Sequence, residues 1–260
     1  MKLCAFAGIL LAWCCVCSVA AAGDAAVYKA PPPAAGPAMP GMFYFGVSIG
    51  GRWSDTDWTT TETGSAPASN SSTNPGSFDS STVRTDGHVG HLWRIAPQWA
   101  LGIEGDLAWG DSSKTIVGIP GTCCGGAAEV KETWDGSIRG RLGFLLTPPW
   151  LLYATGGIAW QNVELDASCG PTSSFCTSVH QESVSSTRTG WTIGGGVEVM
   201  LRHNWLVRLE YRFSDYGRLA HVFFAGIAPD RIAMNQSLKT DTLLLGIAYK
   251  LGPPAVIAKR

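Results

Sequence analysis

Trp99-Ala100-Leu101-Gly102-Ile103-Glu104-Gly105-Asp106-Leu107-Ala108-Trp109 begins and ends on tryptophan. Its odd positions carry Trp99, Leu101, Ile103, Leu107 and Trp109, while the even ones carry Glu104 and Asp106 among small residues. Side chains of a strand alternate between faces, so one face is apolar with an indole at each end and the other holds carboxylates. The same spacing of ten recurs at Phe43/Trp53, Trp134/Phe144 and Trp150/Trp160. Ten residues rising about 3.3 Å each, tilted about 40°, climb roughly 25 Å, the height of the apolar band of an outer-membrane barrel. Aromatic rings favour the two membrane interfaces, apolar body inward and polar edge toward the headgroups. The pairs predict the two girdles of a transmembrane β-barrel; core aromatics of a soluble sandwich are the competing explanation.

Working outward, eight segments alternate in this way: Met42–Trp53, Val83–Trp93, Trp99–Trp109, Lys131–Leu145, Trp150–Val163, Thr189–Leu201, Trp205–Asp215 and Asp241–Leu251. The connections alternate too. Ser54–Thr82, Gly110–Val130, Asn162–Arg188 and Tyr216–Thr240 are long; Arg94–Gln98, Thr147–Pro149 and Arg202–Asn204 are short. Outer-membrane barrels have long extracellular loops and tight periplasmic turns. The expected fold is therefore all-β: an eight-stranded antiparallel transmembrane β-barrel with four long extracellular loops and both ends in the periplasm. The girdle residues then sort by end. Trp93, Trp99, Trp150, Trp205 and Tyr249 fall on the turn side, and Trp53, Trp109, Trp134, Trp160 and Trp191 on the loop side.

The flanking segments fit an exported protein. Lys2 precedes an apolar run from Leu3 to Val19, and Ala20-Ala21-Ala22 offers small residues for cleavage near Gly23. This divides the chain into a signal peptide (1–22), a Pro/Ala-rich periplasmic arm (23–41), the barrel (42–251) and a C-terminal tail (252–260). Beyond the signal no apolar run approaches the roughly 18 residues that a spanning helix needs, so membrane entry requires a closed barrel. A net charge of −1 with only 15% charged residues argues against a nucleic-acid partner. The expected partners are outer-membrane lipid and lipopolysaccharide, the barrel-assembly machinery, and peptidoglycan through the arm. Of eight cysteines, four leave with the signal. In an oxidising compartment Cys169 and Cys176 are expected to close a small loop. Cys123 and Cys124 either bridge each other or pair with other loops. Spacing and the lack of a nearby histidine argue against zinc, and no cofactor is expected.

The inward parity gathers Arg52, Arg139, Arg141, Arg208, Arg212 and Lys250 with Glu104, Asp106, Glu198 and Glu210. Charges in a narrow lumen must pair or stay wet, so they either plug it as an ion-pair network or line a narrow conduit. Inward glycines, Gly46, Gly50, Gly102, Gly143, Gly194 and Gly196, are expected to give the arginines room. Catalysis finds little support. His88 and His91 fall on opposite faces of one strand, no His-x-Ser occurs, and Asp215, His221 and Asp230 are only loosely grouped.

Several stretches carry a family resemblance: Asp24-Ala25-Ala26-Val27-Tyr28-Lys29-Ala30-Pro31-Pro32, Gly102-Ile103-Glu104-Gly105-Asp106-Leu107 and Gly136-Ser137-Ile138-Arg139-Gly140-Arg141-Leu142-Gly143. Leu152-Tyr153-Ala154-Thr155-Gly156-Gly157, Gly194-Gly195-Gly196-Val197-Glu198 and Arg208-Leu209-Glu210-Tyr211 add to it. Together they resemble the outer-membrane β-barrel surface-antigen (immunogenic, porin-like) proteins of alphaproteobacteria. The resemblance covers most of the mature chain and no long loop. It implies a barrel of the outer-membrane protein A type in the bacterial outer membrane, acting in envelope integrity and surface recognition without catalytic residues. Small channels and loop-mediated haemin or glycan binding are the alternative roles it brings. One departure is that Leu251 stands where such chains end on an aromatic residue, with Gly252–Arg260 following.

Overall fold

The structure is a computed structural model describing residues 41–251, apart from 65, 69, 71–72, 123–124, 171–175, 202–203 and 228. The signal, the arm up to residue 40, the tail, and Cys123 with Cys124 lie outside the described residues. Eight long antiparallel strands follow one another: β1 Met42–Thr63, β2 Ser80–Arg94, β3 Trp99–Val117, β4 Ala127–Thr147, β5 Trp150–Cys169, β6 His180–Met200, β7 Trp205–Phe223 and β8 Ile232–Leu251. Each pairs with its neighbours in sequence, and β1 also pairs with β8 from Phe43↔Leu251 to Thr63↔Ile232, which closes the ring. Two short pieces, Ala66–Pro67 and Gly76–Ser77, pair back onto β1.

The girdles form as the spacing predicts. On the periplasmic side Trp99 packs on Phe144 with ring centroids 5.0 Å apart, and Trp205 on Tyr249 at 5.2 Å. On the other side Trp109 stands directly across from Trp134, and Trp191 meets Phe213 at 5.5 Å. Trp53, Trp93 and Trp150 are exposed, as are Trp99, Trp109, Trp191 and Trp205, while Trp134, Trp160 and Tyr249 are half-buried.

The strands are longer than the sequence pattern predicts. β1 covers 22 residues and β6 covers 21, so much of what reads as four long loops is strand. The reason is an inversion of parity. Between the girdles of β5, Leu152, Ile158 and Trp160 face lipid and Tyr153 and Thr155 face in. Beyond Gln161 the buried inward positions become Val163, Leu165, Ala167 and Cys169, while Glu164 and Asp166 face out. β8 does the same, with Leu243, Leu245 and Ile247 exposed but Leu238, Met234 and Ile232 buried. The backbone continues unbroken; the solvent outside it changes from hydrocarbon to water.

Ring closure is also incomplete above the membrane. The β2–β3 ladder ends at Thr85↔Trp109 and the β6–β7 ladder at Trp191↔Asp215, both at the extracellular girdle. Above that level β7, β8, β1 and β2 stay together as one sheet, and β3, β4, β5 and β6 as another. Trp58, Phe78, Phe223 and Leu238 of the first meet Val130, Val163, Leu165 and Ala167 of the second in one buried core. The extracellular half is a small sandwich, the head, continuous with the barrel below.

Candidate functional site

The interior is filled in three layers, two within the membrane and one above it. At the periplasmic end Leu92, Ala100, Leu151, Leu206 and Ala248 form an apolar layer with Tyr44. Above it lies the charge network, and above that the core of the head.

The network is built by adjacent inward positions on facing strands. Glu104 of β3 accepts from Arg139 of β4 and Arg208 of β7, each at 2.5 Å, and from the Tyr44 hydroxyl at 2.8 Å. Arg139 also donates to Glu210 at 2.6 Å, and Glu210 accepts from Arg212 and from the Tyr153 hydroxyl. Asp106 takes Arg212 at 3.1 Å, Arg84 at 2.9 Å and the Ser137 hydroxyl. Arg141 pairs with Glu198 at 2.6 Å and lies 3.8 Å over the Tyr153 ring. All of these charged side chains are almost wholly buried. Buried charges need partners, and each of these has at least one, although Arg208 Nη2 and the Nε atoms of Arg139, Arg141 and Arg208 find none among the described residues.

Nine of the ten expected network residues are thus in it, Arg52 through Asp135 at 3.0 Å. Lys250 is not. It sits one inward position nearer the periplasm than Ala248, with the apolar layer between it and the carboxylates, and it makes no ion pair among the described residues. The sequence reading missed Arg84, Asp86, Asp135 and Glu132. Arg84 binds Asp86 at 2.7 Å and Asp135 at 2.6 Å, and belongs to the strand whose alternation is weakest. The six inward glycines do not make room for arginine side chains; their nearest neighbours are backbone and other side chains, and it is Gly246 that lies against an arginine, Arg208 at 3.1 Å from its Cβ position. A Cβ on Gly90 would stand 2.3 Å from the Tyr44 hydroxyl, and one on Gly196 2.7 Å from that of Tyr153.

Where the two ladders stop, arginines bridge the gap. Arg52 donates to the Gly110 carbonyl at 2.6 Å across β2–β3. Arg188 donates to the carbonyls of Tyr216 at 3.3 Å and Gly217 at 2.8 Å across β6–β7. Burial lowers Arg188 to about 10, with Asp215 and Glu132 opposing the fall, so it remains a cation at neutral pH. Above the girdle Glu132 accepts from Ser54 at 2.6 Å; burial raises its pKa, and Arg52 only partly offsets that.

At the head's tip Cys169 and Cys176 are bonded, as expected, although Cys169 ends β5 rather than lying in a loop. Asp230, fully buried, lies 2.9 Å from His180 Nε2 and accepts from the Thr177 amide and hydroxyl. His221 meets Glu182 at 3.3 Å, and Asp215 caps the Gly217 amide, so Asp215, His221 and Asp230 form no common site. Ser178 lies 3.0 Å from His180, but both it and Asp230 contact Nε2, whereas a nucleophilic relay needs opposite ring nitrogens. His88 and His91 do point apart. His88 is buried against Asp86, and His91 packs between Phe43 and Trp93.

Comparisons agree with this architecture. The chain is 30% identical over 162 residues to the 31 kDa outer-membrane immunogenic protein of Brucella melitensis, covering 62% of this chain and 63% of that one. It is 33% identical over 128 residues to a 22 kDa outer membrane protein of Rhizobium leguminosarum bv. viciae, about half of each chain. Among solved structures, the outer membrane protease OmpT of Escherichia coli matches with a TM-score of 0.50 and 9% identity, covering 81% of this chain and 97% of that one; the likeness is one of fold alone. The family described as the outer membrane protein beta-barrel domain matches residues 17–250, and this outer-membrane chain belongs to it.

Proposed function

We propose that the protein is a non-enzymatic, non-conducting anchor that supports the envelope and holds the head outside the cell for surface recognition. The observation that supports this reading is the filled lumen: an apolar layer, a densely paired ionic layer and a second apolar core stand one above another. An eight-stranded barrel has an interior that side chains can fill, and these do. Assembly through the barrel-assembly machinery and contact of the arm with peptidoglycan complete the proposed partners. Planar-bilayer recordings of the purified chain test it. The expected trace is flat at background; discrete conductance steps would overturn the closed reading in favour of a small porin-like channel.

A further inference from the structure

The two seams of the head are not closed alike. Between β6 and β7, Arg188 holds the Tyr216 and Gly217 carbonyls, and Glu182 accepts from the Phe224 amide at 2.6 Å, so side chains occupy the β7 edge at both ends. Between β2 and β3 the bridging stops early. Thr82 donates to the Asp111 carbonyl at 2.7 Å and Ser80 to the Ser112 hydroxyl at 3.4 Å. Above Ser112, β3 keeps its ladder to β4 as far as Val117↔Ala127, and among the described residues no strand pairs with its other edge. The side chains there are uncovered on both faces. Ser113, Thr115 and Val117 are exposed on the outer face, Val117 by 97%. Lys114 stands across from the buried Val130 and so shares its inward face, yet it is exposed and makes no ion pair among the described residues. Where the edge ends, Ile116, Ile119, Pro120 and Thr122 line a half-open cavity of about 300 Å³ with Asn70 and Thr73.

A bare strand edge is completed by another extended chain, whose main chain supplies the missing bonds while alternate side chains set specificity. An inward lysine at such an edge opposes pairing between like copies and favours a strand that brings a carboxylate. We infer that residues 113–117 are the docking edge for an extended, acidic segment of a partner protein, added antiparallel to β3. Its carboxylate meets Lys114. The residue two places before it, opposite Ile116 on the same face, enters the cavity. The inference rests on reading the head as a recognition surface and names what that surface takes.

Fluorescence anisotropy of a labelled synthetic peptide with the full chain in detergent micelles tests this. The probe alternates valine and threonine, with glutamate in place of the central valine. Control peptides carry lysine for the glutamate, serine for the valine that reaches the cavity, or N-methyl groups on either alternate set of amides. One N-methyl set should abolish binding and the other should not, because only one row of amides faces β3. Serine should weaken binding by about tenfold. Lys114→Glu should weaken the glutamate peptide by about fivefold and favour the lysine one. Bound peptide should slow amide exchange over residues 113–117 and leave 216–223 unchanged. A gel run with and without boiling checks that the variant is folded. Failure of the unmodified peptide to bind, or equal effects of the two N-methyl sets, overturns the docking edge. An unaltered preference in Lys114→Glu overturns the acidic partner. A wild-type dimer that the peptide splits would make the occupant a second copy instead. None of these outcomes alters the bilayer trace, so the anchor reading and the docking edge fail separately.

Discussion

Arg188 of β6 reaches across to β7 and donates to the Gly217 carbonyl at 2.8 Å, just where the backbone ladder between these strands has ended. The guanidinium replaces hydrogen bonds that a continuous sheet would have made between main chains. Arg188→Met should therefore loosen the head while sparing the barrel. Hydrogen bonds to charged groups contribute about 1.5–3 kcal/mol. Faster amide exchange over Tyr216–Phe223, with an unchanged shift between boiled and unboiled bands, is the expected result.

Within the membrane the ion pairs are almost wholly buried. Arg139→Leu strips partners from Glu104 and Glu210 together. Breaking a buried pair by removing one member costs about 3–5 kcal/mol. The urea midpoint for loss of the compact band should fall accordingly, far more than for a substitution at Lys250, which has no carboxylate partner among the described residues.

Glu132 runs the other way. Its pKa is raised by burial, so the folded state binds its proton more tightly than the unfolded chain does. Stability from this group is greatest below the unfolded carboxyl pKa and declines as pH rises through the folded value. Glu132→Gln, which keeps the Ser54 bond, should stabilise the protein by on the order of 1 kcal/mol at neutral pH and leave it unchanged in acid. Melting curves across pH give the sign directly.

Replacing Cys169 and Cys176 with alanine opens a loop of separation 7. Short-loop disulfides contribute about 2 kcal/mol, through the unfolded state in the entropic account. The tip around His180 and Asp230 should become sensitive to protease, with the membrane-spanning part intact after digestion.

The membrane half of this fold was legible because lipid imposes one rule along every strand: apolar out, rings at both interfaces. Trp99 and Trp109 alone measure its height. The head was hidden by the same rule. A reader following Leu152, Ala154 and Ile158 loses the strand at Gln161, because Val163 and Leu165 continue it on the opposite parity. In β4 the register shift between Glu132 and Asp135 disturbs the count as well. The lumen network was mostly readable from charge on the inward face. Arg84 and Asp86 were not, since β2 carries His91, Gly87 and Thr85 where other strands carry aliphatics. The division into two sheets has no marker in composition at all; it depends on where two ladders stop.

The reversal of faces at the extracellular girdle acts as a waterline. Pushed outward by one rung, Leu107 and Ile158 would meet water; pulled inward, Asp55 and Asp166 would enter hydrocarbon. The barrel can float at a single depth only. The head's polar outer wall also cannot rest in lipid, so its strands must pass through the membrane before Trp58 and Phe223 find each other. Assembly ends on the far side of the bilayer from where the chain arrives.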